Sequence, residues 1–200
     1  MQMAGELCRP AKASRNFLFL VNPFPKPELF ARYLHLSVRI SVISLFLNNL
    51  QMAKIRVTKR FHFEMAHTLY EYDGLCRNIH GHSYNLEVTL AGEPRNEPGH
   101  PKDGMVMDFA DLKHLVKSEI VSRFDHSLMV NKLVSEEQIE LLRKASERII
   151  LVGFQPTTEN IVNYIAEILQ EKLPLGISLF SIRLFETVTA FAEWFAEDNQ

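Results

Sequence analysis

The sequence predicts an α+β fold built on an antiparallel sheet, and three features of the chain from Lys54 onward carry that prediction. Ile55, Val57, Lys59, Phe61 and Phe63 alternate with Arg56, Thr58, Arg60 and His62, the period of two expected of a half-buried strand. Two segments with helical spacing fill the middle of the chain, and strand-like segments return at its end. Strands at both ends with helices between them favour helices gathered on one face of an antiparallel sheet over a parallel α/β arrangement.

The elements follow in order. Leu86, Val88 and Leu90 alternate with Glu87 and Thr89 in a second strand. Residues 91–104 contain three glycines and three prolines and read as a loop. Asp108 is placed to cap the next helix, with Asp111 in its first turn and Phe109, Leu112, Leu115, Val116 and Ile120 on its apolar face. Ser135-Glu136-Glu137-Gln138 has the form of a capping box, with Ile139, Leu142, Ala145 and Ile149 at helical spacing behind it. Pro156-Thr157-Thr158-Glu159 opens a third helix with Ile161, Ile165, Ile168 and Leu169 as its buried stripe, and Pro174 and Gly176 end it. Residues 177–187 and 189–195 read as a closing hairpin.

Composition limits the function. With 46% hydrophobic and 23% charged residues this is an ordinary folded protein. Its 22 basic and 24 acidic residues provide no basic field for a nucleic-acid partner. Two cysteines, Cys8 and Cys76, are too few for a disulfide framework, which favours a reducing, cytoplasmic setting. Residues 1–51 form a separate segment, expected to be a disordered or untranslated extension ahead of a natural start at Met52, with a targeting or partner-binding arm as the alternative. The apolar stretch 38–50 carries Arg39 and two serines and is shorter than the roughly 20 residues that span a membrane, so no membrane partner is expected. The chemistry is placed in residues 52–200.

There the informative group is His67 with Cys76-Arg77-Asn78-Ile79-His80-Gly81-His82. Residues two apart on a strand share a face, so His80 and His82 can both reach one metal ion, and His67 can supply a third nitrogen. Three imidazoles suit zinc and leave a fourth position open for water or substrate, as catalytic sites do. Cys76 is either a fourth ligand closing the site or a thiol working beside the metal. His35, His62, His100 and His114 carry no such pattern and are read as surface or structural histidines. Asp125-His126 offers a carboxylate beside an imidazole, although adjacent side chains seldom pair directly. Phe180, Ile182, Leu184 and Glu186 alternate along one strand face. A carboxylate ending an apolar face needs a partner, either an arginine such as Arg183 or a ligand edge with two N–H donors.

At these residues the sequence resembles the 6-pyruvoyltetrahydropterin / 6-carboxytetrahydropterin synthase family. The resemblance rests on Phe61-His62-Phe63-Glu64-Met65-Ala66-His67, on Cys76-x-x-x-His80-Gly81-His82, on residues 104–113, on Asp125-His126, on Pro156-Thr157-Thr158-Glu159-Asn160 and on Glu186-Thr187. Three residues between the cysteine and the first paired histidine look like the 6-carboxytetrahydropterin synthase branch, which serves queuosine synthesis; the pyruvoyl-forming branch has more. A further branch carries glutamate where Cys76 stands.

The resemblance implies the tunnelling fold: a four-stranded antiparallel sheet with helices on one face, joined between subunits into a barrel, with two trimers stacked as a homohexamer. It implies zinc on His67, His80 and His82, acting as a Lewis acid on the side-chain oxygens of 7,8-dihydroneopterin triphosphate. It also implies Cys76 as base, Asp125 and His126 as the opposing proton relay, Glu186 as the anchor of the pterin ring, and Thr157, Thr158 and Glu159 serving a neighbour's pterin pocket. Triphosphate elimination with loss of acetaldehyde would then give 6-carboxytetrahydropterin. Lys59, Arg60 and Arg77 are candidates for holding triphosphate. The stretch 128–155, with its extra helix, is longer than most family members carry. The rival readings are a pyruvoyl-forming synthase, a dihydroneopterin aldolase-like enzyme, and a zinc module without turnover whose site Cys76 closes. A generic zinc hydrolase lacks a His-Glu-x-x-His helix.

Overall fold

In the computed structural model, residues 53–199 are described, and the expectations for residues 1–51 lie outside them. Two strands organise the rest. Strand β1 (Ile55–His67) and strand β2 (His80–Gly92) pair antiparallel along all 13 residues of each, from Ile55 opposite Gly92 to His67 opposite His80. Both run past their predicted limits, so His67 is the last residue of β1 and His80 and His82 open β2.

The sheet is larger than expected. Its order is β4-β3-β1-β2-β5-β6, six strands instead of four. The antiparallel strands β1, β2, β5 (Ile177–Phe185) and β6 (Phe191–Phe195) are those predicted. The additions are β3 (Ser127–Asn131), parallel to β1, and β4 (Ile149–Val152), parallel to β3. Ile149 therefore belongs to a strand and not to the preceding helix, which ends at Ala145. β3 is buried at all five positions, and such a strand shows no alternation by which a sequence could reveal it.

Helix α1 (Phe109–Val116) starts where expected, with the Asp108 carboxylate accepting from the Ala110 N–H at 2.7 Å. It continues through a π-type turn, Lys117–Val121, and a last turn, Ser122–Phe124, so that Leu112, Val116, Ile120 and Phe124 are all buried. Phe109 is half exposed and lies off that face. Helix α2 (Glu136–Ala145) has the predicted capping box between Ser135 and Gln138. Helix α3 (Thr158–Gln170) is capped by Thr157 and buries Ile161, Ile165 and Leu169.

One face of the sheet carries the core. Phe61, Phe63 and Met65 on β1 and Tyr84, Leu86, Val88 and Leu90 on β2 lie buried with the apolar sides of α1 and α3. Phe63 stacks on Tyr84 at 5.3 Å and meets Phe124 edge-on at 5.9 Å. His67, His80 and His82 share the parity of these residues and extend the same face to the sheet's end. On β5 the register slips where Thr89 pairs with Ser181 and Leu90 with Leu179, leaving Phe180 unpaired. Phe180 therefore stands off the face of Ile182 and Leu184, contrary to the simple alternation, and the Arg56 guanidinium stacks on its ring at 3.5 Å.

Phe63→Ala should cost about 3–5 kcal/mol in urea unfolding, because it empties the centre of this core. Asp108→Ala should cost about 1 kcal/mol through the lost cap. A Phe63→Ala loss under about 1 kcal/mol would contradict this packing.

Candidate metal and substrate site

Strand pairing assembles the three histidines. The register sets His67 opposite His80, and His82 follows two residues later on the same face. Their ligand atoms lie within 4.8 Å of one another. The His67 ring donates from Nδ1 to the Pro156 carbonyl at 2.6 Å, and the His80 ring donates from Nδ1 to the Asn78 carbonyl at 2.8 Å. A carbonyl only accepts, so both Nδ1 atoms carry the proton and both Nε2 atoms present a lone pair.

Those two Nε2 atoms are only 3.1 Å apart. Two facing lone pairs repel unless a cation or a proton lies between them. His82 Nε2 is buried without any hydrogen-bond partner. Burial lowers the pKa of His67 below its ordinary value, the Pro156 carbonyl opposes this, and the neighbouring imidazole of His80 adds to the lowering. The donor set therefore fits a metal ion: three imidazoles, two of them oriented through their far side by backbone carbonyls. Cys76 is not among these close ligand atoms.

Glu186 lies just beyond β5, where its N–H and that of Thr187 both bond the Ala190 carbonyl and close the hairpin. One carboxylate oxygen is 3.6 Å from Nε2 of both His67 and His82. Arg183 is not its partner, because that guanidinium is engaged by Glu193 and Glu87. Tyr84 follows the histidines on β2 and is wholly buried, with its hydroxyl unpartnered. Burial, and then the Glu186 carboxylate, push the tyrosine pKa far above its usual range. The sequence carried a sign of Tyr84, since His80, His82 and Tyr84 share one parity, but none of the Pro156 and Asn78 carbonyls.

A cleft of about 310 Å³ opens beside His67 and is bordered by that residue, Cys76, Thr157, Thr158, Glu159 and Glu186. Six of the predicted site residues thus meet within one subunit. The Thr-Thr-Glu stretch borders the cleft of its own subunit, whereas the resemblance implies a neighbour's. Cys76 is half-buried in a short 3-10 turn, Leu75–Arg77.

Asp125 and His126 do not border that cleft. They pair directly, Asp125 Oδ2 to His126 Nδ1 at 3.0 Å, despite being neighbours in sequence. The pairing needs an unusual backbone: His126 takes a φ of +57, which a non-glycine residue seldom adopts. The Glu64 N–H donates to Asp125 Oδ1 at 2.9 Å, and this bond first, then His126, lowers the carboxyl pKa. His126 faces a different groove, of about 510 Å³, with Glu64, Ala66, Gly81 and Ser83, residues that alternate with the histidines on β1 and β2; His82 also borders it.

None of the expected triphosphate cations borders the cleft. Arg60 pairs with Glu87 at 2.8 Å, the Lys59 ammonium lies 5.5 Å from the Phe109 ring centre, and Arg77 lines a third groove with Thr68, Glu71 and Gln138.

Comparison with known proteins identifies the family and the fold. The family model for 6-pyruvoyl tetrahydropterin synthase matches residues 56–197. A 6-carboxy-5,6,7,8-tetrahydropterin synthase of Haemophilus influenzae is 38% identical over 141 residues, covering 70% of this protein and 97% of that one. The structure of Caenorhabditis elegans 6-pyruvoyl tetrahydropterin synthase superposes with a TM-score of 0.52 at 25% identity, over 72% of this protein and 97% of that one. The Plasmodium falciparum 6-pyruvoyl tetrahydropterin synthase structure shares the fold with a TM-score of 0.53 at 23% identity, over 71% and 97%. With the three histidines gathered at the end of the long strand pair and the match running nearly the whole described length, the chain belongs to the 6-pyruvoyl tetrahydropterin synthase family.

Proposed function

We propose that the protein is a zinc-dependent 6-carboxytetrahydropterin synthase that converts 7,8-dihydroneopterin triphosphate to 6-carboxytetrahydropterin, acetaldehyde and triphosphate for queuosine synthesis. The observation that carries this reading is the cluster of His67, His80 and His82, whose member His67 borders one cleft together with Cys76 and Glu186. The 38% identity to a 6-carboxy-5,6,7,8-tetrahydropterin synthase and the short Cys-x-x-x-His spacing support the carboxy branch.

The three imidazoles would hold zinc, which when bound supplies Lewis acidity to hydroxyl or carbonyl oxygens of the substrate's three-carbon arm. Glu186 would accept two N–H bonds from the amino-pyrimidinone edge and so fix the ring. Thr157, Thr158 and Glu159 would border the ring on the α3 side. Cys76 would take a proton from a carbon of that arm and return it, as general base. The half-buried wall of the cleft would restrict water around it.

Within one subunit His126 borders another groove, and the cleft has carboxylates but no lysine or arginine. We therefore assign the opposing proton relay, and cations for triphosphate, to an adjacent copy in a homohexamer. The open outer edges of β4 and β6 among the described residues support such an assembly.

Three outcomes test this reading. Zinc-loaded protein given 7,8-dihydroneopterin triphosphate should release acetaldehyde with 6-carboxytetrahydropterin. Cys76→Ala should lower the rate about 10²–10⁴-fold while keeping its zinc. Triphosphate release without acetaldehyde would move the assignment to the pyruvoyl branch, and zinc binding without turnover would favour the closed module. Second, Cys76→Ala and His126→Ala, each strongly impaired alone, should recover part of the activity when co-assembled. No recovery in mixed oligomers would contradict a shared site.

The third outcome concerns pH without metal. The folded state holds His67 below its ordinary pKa of 6.5, so below that value the unfolded chain binds more protons. Metal-free protein should therefore keep its full stability above pH 6.5 and lose it as the pH falls below. His67→Gln should flatten that part of the melting-temperature profile; an unchanged slope would contradict the lowered pKa.

A further inference from the structure

Among the described residues, two buried polar side-chain atoms lack partners, His82 Nε2 and the Tyr84 hydroxyl, and both belong to the same end of the sheet. An unpartnered buried hydroxyl destabilises a fold, and phenylalanine would fill the same space without it. The Tyr84 ring already has its packing: it stacks on Phe63 and meets the edges of His82 and His67 at centroid distances of 5.7 and 6.4 Å. Packing therefore accounts for the ring but leaves the oxygen without a role.

Strand geometry names the acceptor. The last paired residues of β2 and β5 are Asn85 and Phe185, and Leu86 pairs with Leu184 on the buried face. Continued by one step, that register would set Tyr84 opposite Glu186 on the same face. Glu186 instead points one oxygen toward the histidines, 3.6 Å from two ring nitrogens.

We propose that Tyr84 is a positioning residue whose hydroxyl donates to the Glu186 carboxylate once the three histidines hold a cation. A single rearrangement then satisfies both orphans: the cation takes the lone pair of His82, and the Glu186 carboxylate turns to accept from Tyr84, a bond that holds it against the pull of the cation. It also keeps Glu186 from becoming a fourth ligand, so the open position stays free and the carboxylate stays aimed for a ring N–H edge. The proposal rests on the metal reading of the histidine trio and deepens it.

Cobalt(II) titration of the full-length protein tests it, with melting of the metal-free protein measured in parallel. Tyr84→Phe should weaken cobalt binding roughly three- to tenfold, the worth of one hydrogen bond, while the metal-free melting temperature stays the same or rises. In a Glu186→Ala background, where the acceptor is gone, Tyr84→Phe should leave cobalt affinity unchanged. The proposal is overturned if Tyr84→Phe binds cobalt as tightly as the parent, if the loss is equal in both backgrounds, or if the metal-free protein is destabilised, which would make the hydroxyl structural. A parent protein that binds no cobalt, or binds it equally after His80→Ala, overturns the metal reading together with this inference; the Tyr84 result alone leaves the metal reading standing.

Discussion

The site depends on one constraint: a pair of imidazole nitrogens held 3.1 Å apart, each with its proton committed elsewhere. Pairing of β1 with β2 puts the two rings opposite one another, and the carbonyls of Pro156 and Asn78 fix which nitrogen of each is bare. Neither feature is local. The register is set along 13 residues by pairs such as Phe61 with Leu86 and Phe63 with Tyr84 on the helix-covered face, because a one-residue slip would turn one strand's buried side chains outward. The histidines inherit their geometry from that hydrophobic match, and His67 also inherits its low pKa from the burial that comes with it.

The start of α3 couples the site to the rest of the core. Pro156 ends the connection from β4 and turns its carbonyl to His67, Thr157 caps the helix, and Thr158 begins it with its side chain buried. Helix docking through Ile161 and Ile165 therefore fixes one histidine tautomer and one wall of the cleft together. On the other side of β1, the backbone of Glu64 holds both Asp125 and His126: its N–H donates to the carboxylate and its carbonyl accepts from the His126 N–H. Strand β1 thus contributes His67 to the trio and, through the backbone of Glu64, holds the Asp–His pair whose His126 borders a second groove.

Local rules made much of this legible. The caps at Asp108, Ser135 and Thr157 and the apolar stripe of α3 follow from residue types at fixed spacing, and the His-x-His pair follows from the parity of a strand. What the sequence hid depends on distant contacts. β3 is a fully buried run that cannot be told from other apolar segments, and its parallel partner β4 begins at Ile149, whose spacing fits the preceding helix equally well. The bulge at Phe180 shifts the face of one residue without any glycine or proline to mark it. The left-handed backbone of His126, which allows adjacent side chains to pair, has no signal in residue type alone. The tautomers are set by backbone carbonyls, which every residue has.

Three nitrogens, and not the cysteine, should hold the metal. X-ray absorption of the zinc-loaded protein at the zinc edge distinguishes the two. Three nitrogens and one exchangeable oxygen at about 2.0–2.2 Å are expected around the zinc. A sulfur at about 2.3 Å would place Cys76 on the metal, close the site and remove the base from the proposed reaction.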